Sequence, residues 1–475
     1  MKTSRSFDLI VATLSLILII LIAGVLWRGD RTYPYVRANN LAEVTEVSPD
    51  HRQITLTFNR EMDKKSVEEN FQLSPDAEGQ FSWVGRRMAY SFSEPLAYDQ
   101  SYELTLADAH DSNGQPLQEP FVLNFSTPPQ SLFYLNQNAQ LVRQKIESGG
   151  AEPLSPEGLE VVDYRMHPNR STFYLLVKDD ELDDGTEFVS LYELDTKNEE
   201  LTLLLDGKEL KVFEFKVSPD GTWLVVSVGD FYALGDFWIT QPPTVRLLNL
   251  KKGEWDDFWR NTLYEYPLQF SNDAQFLMGV DYSGDALILP LEEQDFPPVQ
   301  LGVYTDIHGL SSDGRMILLS KAHDVLPETQ LVVRKNDGST QTIAEGLGEI
   351  YSPTFTPNGE WVYFLVKRFN FDDLDFMQSF SLQAYDYFYD LYRYSLSSLE
   401  LSPVMDEGTY AQGAFDFSAD GKTMVVERYS IESNDEEFIS TESIFEEKVP
   451  ELWRMELESG EMKTLGLLGE KPRLD

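Results

Sequence analysis

The sequence of 475 residues contains no cysteine and five histidines, and its 38 basic residues are outnumbered by 80 acidic ones. The absence of cysteine excludes disulfides, thiolate nucleophiles and cysteine-ligated metals. A formal net charge of −42 argues against a nucleic acid partner and against docking on anionic lipid, because both need a basic surface. A cation, a basic protein or a neutral glycan stays open as a ligand class.

Catalytic motifs are also missing. The histidines do not have the spacing of an HExxH zinc motif, and the chain has neither a GxSxG nucleophile turn nor a glycine-rich phosphate loop. We therefore expect no catalytic residue, no cofactor and no metal site, and we interpret the chain as a non-enzyme. The acidic loop DDELDDGTEF offers Asp179, Glu181, Asp183 and Asp184 to calcium. Its glycine is one position late for an EF-hand, which favours a solvated loop.

Long uncharged apolar runs are absent with one exception near the amino terminus. The run from Leu9 to Leu26 would reach about 27 Å as a helix, close to the thickness of a bilayer core. We predict a transmembrane helix at residues 9–27 that acts as an uncleaved anchor, with residues 1–8 in the cytoplasm. A cleaved signal peptide is the alternative.

A linker at residues 28–40 precedes short segments in which apolar and polar residues alternate. This period of two predicts strands with one buried face, and several such strands predict a β-sandwich over residues 41–128. The segments are ITLTF, MAYSF, YELTL and FVLNFST, which begin at Ile54, Met88, Tyr102 and Phe121.

These segments, together with NREMD after Phe58 and the closing FST, resemble the bacterial Ig-like domain of S-layer and other cell-surface proteins. The resemblance implies a spacer or adhesion module outside the cytoplasm. It therefore favours a single-pass protein of the plasma (inner) membrane, with the bulk of the chain on the extracytoplasmic, periplasmic side.

A turn motif recurs downstream as VSPDG, FSNDA, LSSDG, FTPNG and FSADG, with a degenerate copy MHPNR. Its apolar residue ends a strand, proline presets the turn, aspartate or asparagine caps it, and glycine adopts the left-handed conformation. A hydrophobic strand follows each copy, and a further strand–turn–strand pattern separates the copies. Each unit of roughly 45 residues thus supplies four strands, which is typical of a β-propeller.

The repeats resemble a TolB-type propeller of the WD-like SPDG class over residues 131–475. Six units run from Val161 to Leu465, and the segment that begins at Ser131 supplies strands two to four of another. The carboxy-terminal segment LGLLGEKPRLD would complete that unit with its first strand. We therefore predict an all-β chain whose propeller has seven blades closed by both ends of the chain, with six blades as the alternative.

The longest insertions all lie between strands 2 and 3 of their blades, at residues 179–187, 229–244, 368–390 and 430–450. Equivalent connections leave the same face of a propeller, so these insertions crowd one face, opposite the motif turns. Aromatic residues there are candidates for partner binding, unless they pack together as a cap over the channel or contact the membrane. The candidates are Phe231, Phe237, Trp238, Phe371, Phe376, Tyr385, Tyr387, Phe388 and Tyr389.

The first strand of each blade borders the central channel, and its residue before the apolar turn residue is a second candidate position. Charged residues there either bind a ligand or pair between blades. The six positions are Arg165, Lys216, Gln269, Gly309, Thr354 and Asp416.

We interpret the chain as a membrane-anchored, extracytoplasmic binding or scaffold protein. The insertion-rich face would bind a protein or a cell-envelope polymer, and the Ig-like domain would act as a spacer. One alternative is a hydrolase or lyase acting on envelope glycan, with channel carboxylates as acid and base. The other is an extracytoplasmic sensor.

Overall fold

A computed structural model describes most of the chain, which divides into two compact units. One unit comprises residues 1–47, 51–94 and 100–127, and the other comprises 48–50, 95–99 and 128–475. The described residues are 11, 13–19, 33–42, 46–51, 53–182, 185–234, 237–240, 243–256, 268–291, 297–322, 329–369, 387–405, 410–430 and 449–474.

Only part of the predicted membrane segment is described. Residues 11 and 13–19 are helical, and their apolar side chains, such as Leu14 and Ile19, are exposed. Residues 1–8 and the rest of 9–27 lie outside the described residues. Within the described ranges, no helix combines the length and the apolar character that a membrane crossing requires. The anchor therefore stays a prediction.

The first unit is a β-sandwich of a four-stranded and a three-stranded sheet, with strand orders β1-β2-β5-β4 and β3-β6-β7. Its elements are β1 (Val36–Asn39), β2 (Gln53–Phe58), α1 (Lys64–Asn70), β3 (Phe71–Ser74), β4 (Gly79–Val84), β5 (Arg87–Phe92), β6 (Ser101–Leu106) and β7 (Phe121–Ser126).

The predicted alternation is confirmed in the core of this sandwich. Leu56, Met88 and Leu104 are fully buried in three strands, and in β5 and β6 the residues that alternate with the buried ones are more exposed. The helix α1 begins at Asp63, whose Oδ1 accepts a hydrogen bond of 3.0 Å from the N–H of Ser66. The sandwich thus follows directly from the period-two pattern of its sequence.

The second unit is built from four-stranded antiparallel sheets, which are numbered here as blades 1 to 7. Blade 1 contains β8 (Ser131–Asn136), β9 (Leu141–Lys145) and β10 (Ala151–Pro153); blade 2 contains β11 (Val161–Met166), β12 (Thr172–Glu181), β13 (Glu187–Asp195) and β14 (Glu200–Leu205); blade 3 contains β15 (Leu210–Val217), β16 (Trp223–Leu234), β17 (Phe237–Thr240), β18 (Thr244–Asn249) and β19 (Glu254–Asp256).

The remaining blades follow the same plan. Blade 4 contains β20 (Gln269–Phe270), β21 (Phe276–Val280), β22 (Asp285–Pro290) and β23 (Val299–Val303); blade 5 contains β24 (Asp306–Leu310), β25 (Met316–Ala322), β26 (Thr329–Lys335) and β27 (Thr340–Ala344); blade 6 contains β28 (Ile350–Phe355), β29 (Trp361–Phe369), β30 (Tyr387–Ser395) and β31 (Leu401–Pro403); blade 7 contains β32 (Tyr410–Phe417), β33 (Thr423–Ser430), β34 (Glu451–Glu456) and the first part of β35 (Met462–Leu474).

The long strand β35 closes the ring, as the sequence predicted. Its first part pairs with β34 as the outer strand of blade 7, and its last part pairs with β8 as the inner strand of blade 1. One strand therefore belongs to two blades, and the strand pairing gives seven blades rather than six. Closure removes the open edge at which a sheet pairs with foreign strands.

Apolar side chains fill the spaces between neighbouring blades. Seven buried clusters each join one blade to the next, and the cluster between blades 7 and 1 includes Val425, Leu452, Leu132 and Leu474. Each sheet is buried on both faces because a blade lies on either side of it. This is why strands such as FYLLV in blade 2 are almost continuously hydrophobic.

The motif turns have the predicted geometry and one feature that was not predicted. The glycine of the motif has φ near +67°, as at Gly221, which is the left-handed conformation. The buried Ser218 forms the centre of its turn: its Oγ donates to Asp220 Oδ1 at 2.6 Å and accepts the N–H of Trp223 at 2.9 Å. The same hydrogen bond from a hydroxyl to the Oδ1 of the turn aspartate or asparagine recurs in blades 4 to 7, at Ser271, Ser311, Thr356 and Ser418.

The closing strand generates a stability prediction at Gly469, which faces β8. A Cβ at this position would lie 2.6 Å from the carbonyl oxygen of Leu135 and would collide with the ring of Tyr134. We expect Gly469→Ala to lower the free energy of unfolding by about 1–3 kcal/mol, because backbone atoms cannot move aside. Urea denaturation measures this change. Gly150→Ala is the control, since its Cβ meets nothing within 4 Å; equal midpoints for the two variants would contradict the prediction.

Candidate functional site

The end of the propeller that carries the connections between strands 2 and 3 is called the insertion face. In blades 2, 3, 5, 6 and 7 these connections span residues 182–186, 235–243, 323–328, 370–386 and 431–450. The described strands that flank these connections end at equivalent points of their blades. The crowding of the insertions on this face stays a prediction. Of the predicted binding residues, Phe371, Phe376 and Tyr385 lie outside the described residues.

Three of the predicted residues are brought together in one hairpin of blade 3. The strand β16 continues beyond the sheet and pairs with β17, so that Trp238 lies opposite Ala233 and Phe237 opposite Leu234. Phe231 lies on the same hairpin, and its neighbour Tyr232 is 42% exposed. The insertion therefore extends the blade as a β-ribbon.

The other predicted residues follow the insertion of blade 6. Tyr387 and Phe388 lie opposite Phe369 and Arg368 in the β29–β30 pair. Tyr389 is half-buried, and its ring meets Tyr351 edge to face at 5.2 Å between centroids. This aromatic pair packs at the base of the insertion, which favours a structural contribution from Tyr389.

Lysine side chains form ion pairs with the acidic residues in and around the loop of blade 2. Lys178 Nζ lies 2.5 Å from Glu181 Oε2 and 2.6 Å from Glu187 Oε1, and Lys208 pairs with Asp180 at 3.1 Å. Asp183 and Asp184 lie outside the described residues. Among the residues that the structure describes, no group of acidic and histidine side chains is arranged to hold a metal ion.

Charged side chains on the inner strands form two levels along the channel. Side chains two residues apart point to the same side of a strand, so Asp163 and Arg165 of blade 2 both face the axis. Arg165 Nη1 lies 2.9 Å from Asp163 Oδ1. In blade 3, Glu214 and Lys216 repeat this arrangement at 3.1 Å. Roughly a fifth of each of these cationic side chains remains accessible, at 23% for Arg165 and 22% for Lys216.

The structure adds a seventh member to the predicted channel positions. Arg473 of the inner strand of blade 1 pairs with Phe133 of the second strand. Lys216 and Val225 form the corresponding pair in blade 3, so Arg473 and Lys216 occupy equivalent positions. The sequence carried a signal for this residue, because Arg473 and Leu474 repeat the pattern of a channel residue followed by an apolar turn residue. The basic residues Arg473, Arg165 and Lys216 thus occupy one level on three consecutive blades.

These charged groups shift one another's pKa values across the channel. Burial acts to raise the pKa of Asp163, but Arg165 and Lys471 hold it below its ordinary value. Burial lowers the pKa of Lys216, and the neighbouring positive charges add to this effect against the attraction of Glu214.

Opposite them, burial raises the pKa of Asp416, although Arg473 and the N–H of Leu474 partly oppose it. Residues from blades 1, 2, 3 and 7 therefore share one electrostatic environment around the axis.

Irregular pairing recurs in the inner strands and was not predicted. The pairing of the first and second strands shifts register in blades 1, 2, 3, 5, 6 and 7. In blade 5 the extra residue is His308, whose Nε2 lies 2.7 Å from Ser320 Oγ. Burial, with a contribution from Lys216, lowers the pKa of His308 to about 3, so it is neutral at pH 7. Such bulges re-aim side chains towards the axis.

A buried carboxylate lies where blade 7 meets the closing strand. Glu427 accepts hydrogen bonds from the N–H of Lys471 at 2.5 Å and of Ala414 at 2.9 Å, and Tyr429 donates to it at 3.3 Å. Burial raises the pKa of Glu427 to about 7, although the backbone hydrogen bonds oppose the shift. This group joins the inner strands of blades 7 and 1.

Comparison with known families concerns the first unit. The family model of the bacterial Ig-like domain matches residues 30–127, which confirms the domain that the sequence resemblance implied. No curated protein matches the chain.

The propeller is established by its strand pairing, and the chain is also similar to several solved structures. TolB from Acinetobacter baumannii is 11% identical, with 85% of this chain and 82% of that chain covered and a TM-score of 0.39. An oligogalacturonate lyase from Vibrio parahaemolyticus is 13% identical, with 78% and 87% covered and a TM-score of 0.42. A puromycin-hydrolyzing peptidase from Mycobacterium tuberculosis is 12% identical, with 80% and 54% covered and a TM-score of 0.46. These likenesses assign neither a ligand nor an activity.

The buried Glu427 generates a pH prediction. Because its folded pKa is about 7, above the ordinary value of 4.5, the folded state takes up a proton more readily than the unfolded chain. Its contribution to stability is therefore complete below about pH 4.5 and is lost as the pH rises towards about 7. We expect the free energy of unfolding to fall less steeply over this window in Glu427→Gln than in the parent protein. A shift of this size is worth about 3 kcal/mol.

Urea denaturation at several pH values measures the slope, and Glu458→Gln, which changes an exposed glutamate, is the matched control. Parallel pH profiles for Glu427→Gln and the parent protein would contradict the prediction.

Proposed function

We propose that the chain is a membrane-anchored, extracytoplasmic binding or scaffold protein. Its insertion face binds a protein or a cell-envelope polymer, and the Ig-like domain acts as a spacer. The observation that carries this proposal is that the described ends of strands 2 and 3 occupy equivalent positions in the blades, and that the longest stretches between them, residues 370–386 and 431–450, belong to neighbouring blades. A closed scaffold whose blades differ mainly in the loops of one face is well suited to binding.

Accessible aromatic side chains support this role for the insertion face. Tyr232, Tyr282 and Tyr351 are 42%, 48% and 37% exposed, and each lies in or beside a connection on that face. Tyr282 is also held in place, because its hydroxyl donates to the carbonyl of Pro243 in the next blade at 2.8 Å. Ordered aromatic side chains supply contact area to a partner at low entropic cost.

The arrangement of the channel carboxylates favours binding over catalysis. A glycan hydrolase or lyase needs two carboxyl groups that act together as acid and base. Asp163 and Glu214 instead each pair with a cation of their own strand, and the buried Glu427 is engaged by backbone N–H groups. The envelope-glycan enzyme therefore remains the alternative, with Asp416 as its best acid.

The exposed apolar side chains of residues 13–19 support the membrane anchor, because they need an apolar environment. We expect the full chain to stay in the membrane fraction after a high-salt and alkaline wash, and a chain without residues 1–28 to be released. Protease added outside intact cells should digest the propeller. Release of the full chain by salt alone would contradict the anchor.

The insertion face can be tested by crosslinking in intact cells, followed by recovery of the full chain and of its neighbours. We expect the double variant Tyr232→Ala, Trp238→Ala to lower the yield of the recovered partner about tenfold or more, because buried aromatic contacts dominate binding energies. Trp255→Ala is the matched control, since Trp255 is 38% exposed beside the turn between strands 3 and 4, on the opposite face.

Two outcomes would contradict the proposal. One is a partner whose recovery falls equally in Trp255→Ala and in the double variant. The other is turnover of an envelope glycan by the purified chain that Asp416→Asn abolishes, which would establish the enzymatic alternative.

A further inference from the structure

Hydrogen-bond donors occupy one level of the channel on four consecutive blades, next to the motif turns. They are Arg473, Arg165, Lys216 and Gln269 of blades 1 to 4, and they are called the donor arc. The other three members of this level are Gly309, Thr354 and Asp416. In a chain with a net charge of −42, three neighbouring cations thus surround the axis, accompanied by the carboxyl groups of Asp163, Glu214 and Asp416.

Much of the donor capacity of this arc is unused. Among the described residues, the guanidinium group of Arg473 has neither a hydrogen bond nor an ion pair. Arg165 uses only Nη1, which binds Asp163 and the carbonyl oxygen of Tyr164 at 2.7 Å. The side-chain amide of Gln269 also has no partner within the part of the chain that the structure describes. These donors are accessible, since Arg473 is exposed and Arg165 is partly so.

The side chain of Arg473 reaches the shared space of the channel. The protein around the channel acts to lower the pKa of Arg473 by desolvation. Asp416 and other groups from neighbouring blades outweigh this effect and raise the pKa above its ordinary value, so the guanidinium is charged. It also depresses the pKa of Lys216, two blades away. A residue of blade 1 influences a residue of blade 3 in this way when both face the axis.

Open space lies across the channel from the arc. At Gly309 of blade 5, a Cβ would meet no atom of another residue within 4 Å. The backbone there has φ of +147°, a conformation that favours glycine, and His308 beside it is neutral and bonded to Ser320. The channel thus presents donors on one side and an unfilled position on the other.

We propose that the donor arc binds a carboxylate group of a small ligand, seated on Arg473 and Arg165 with Lys216 and Gln269 beside it. A guanidinium fork matches the two oxygens of a planar carboxylate. Asp163 and Glu214 already offset part of the positive charge, and Asp416 lies on the same level, so a dianion such as phosphate is disfavoured. The site lies at the end of the channel opposite the insertion face and is independent of the partner proposed there.

The test is a calorimetric titration of the full chain in detergent with acetate and with succinate, at constant ionic strength maintained with chloride. Inorganic phosphate and the neutral analogue acetamide are titrated in parallel. We expect saturable binding of the carboxylates, weaker binding of phosphate and no binding of acetamide. We expect Arg473→Gln and Arg165→Gln each to weaken carboxylate binding about tenfold or more, because a charged hydrogen-bonded pair is lost.

Two further variants keep the result interpretable. Arg473→Lys retains the charge but loses the fork, so it should fold and bind with intermediate affinity even if Arg473→Gln does not fold. Arg315→Gln removes one positive charge from a side chain that is 80% exposed near a motif turn, and it should bind like the parent protein. The proposal is overturned if the parent protein binds no carboxylate, if phosphate binds more tightly, or if Arg473→Lys and Arg315→Gln bind equally well. Since no membrane or protein partner is involved, such a failure would leave the function of the insertion face untouched.

Discussion

The pairing of β35 with β8 is the constraint on which the rest of the propeller depends. Because one strand supplies the outer edge of blade 7 and the inner edge of blade 1, the sheets form a closed ring. The apolar cluster between these blades, with Leu132 and Leu474 among its members, reinforces the closure. Without it, the axis would not be surrounded by seven inner strands, and Arg473 would not lie level with Arg165 and Lys216.

Closure also explains why so acidic a chain has cations at its centre. The outer surfaces of the propeller are solvated, and like charges there are screened by water and salt. Inner strands lie against one another, where an unpaired carboxylate would be costly, so Asp163 and Glu214 are accompanied by Arg165 and Lys216 on the same strand face. Glu427 and Asp416 differ from these, because backbone N–H groups rather than a cation bind them, and burial raises the pKa of both.

The two ends of the propeller differ for a related reason. At one end blades 3 to 7 turn through a compact motif whose hydroxyl, such as Ser218 Oγ, satisfies the backbone and the side chain of the turn aspartate or asparagine at once. That geometry leaves little room for insertion. At the other end the strands are joined by connections that carry no such constraint, and hairpins such as β16–β17 extend the blade. The binding role proposed for the insertion face and the carboxylate site proposed near the turns therefore concern opposite ends of the propeller.

Much of this architecture could be predicted from local patterns. Period-two alternation identified the Ig-like strands, and the turn motif identified the blade units and their second strands, because both depend on residues near each other in the sequence. The closing strand could be predicted as well, since a four-stranded blade that lacked its inner strand had to obtain it from the other end. The buried serine or threonine of the turns in blades 3 to 7 and the bulges of the inner strands were missed, because both involve hydrogen bonds that residue type alone does not reveal.

The amino-acid sequence by itself thus determined the class of fold and the order of the blade units, and it favoured seven blades over six. Only the tertiary structure decided which charges meet. Arg473 and Asp163 are separated by most of the propeller in sequence and are neighbours only because the ring closes, so their mutual influence depends on distances that no local pattern encodes. The same closure places the guanidinium group of Arg473 where, among the described residues, it has neither a hydrogen bond nor an ion pair.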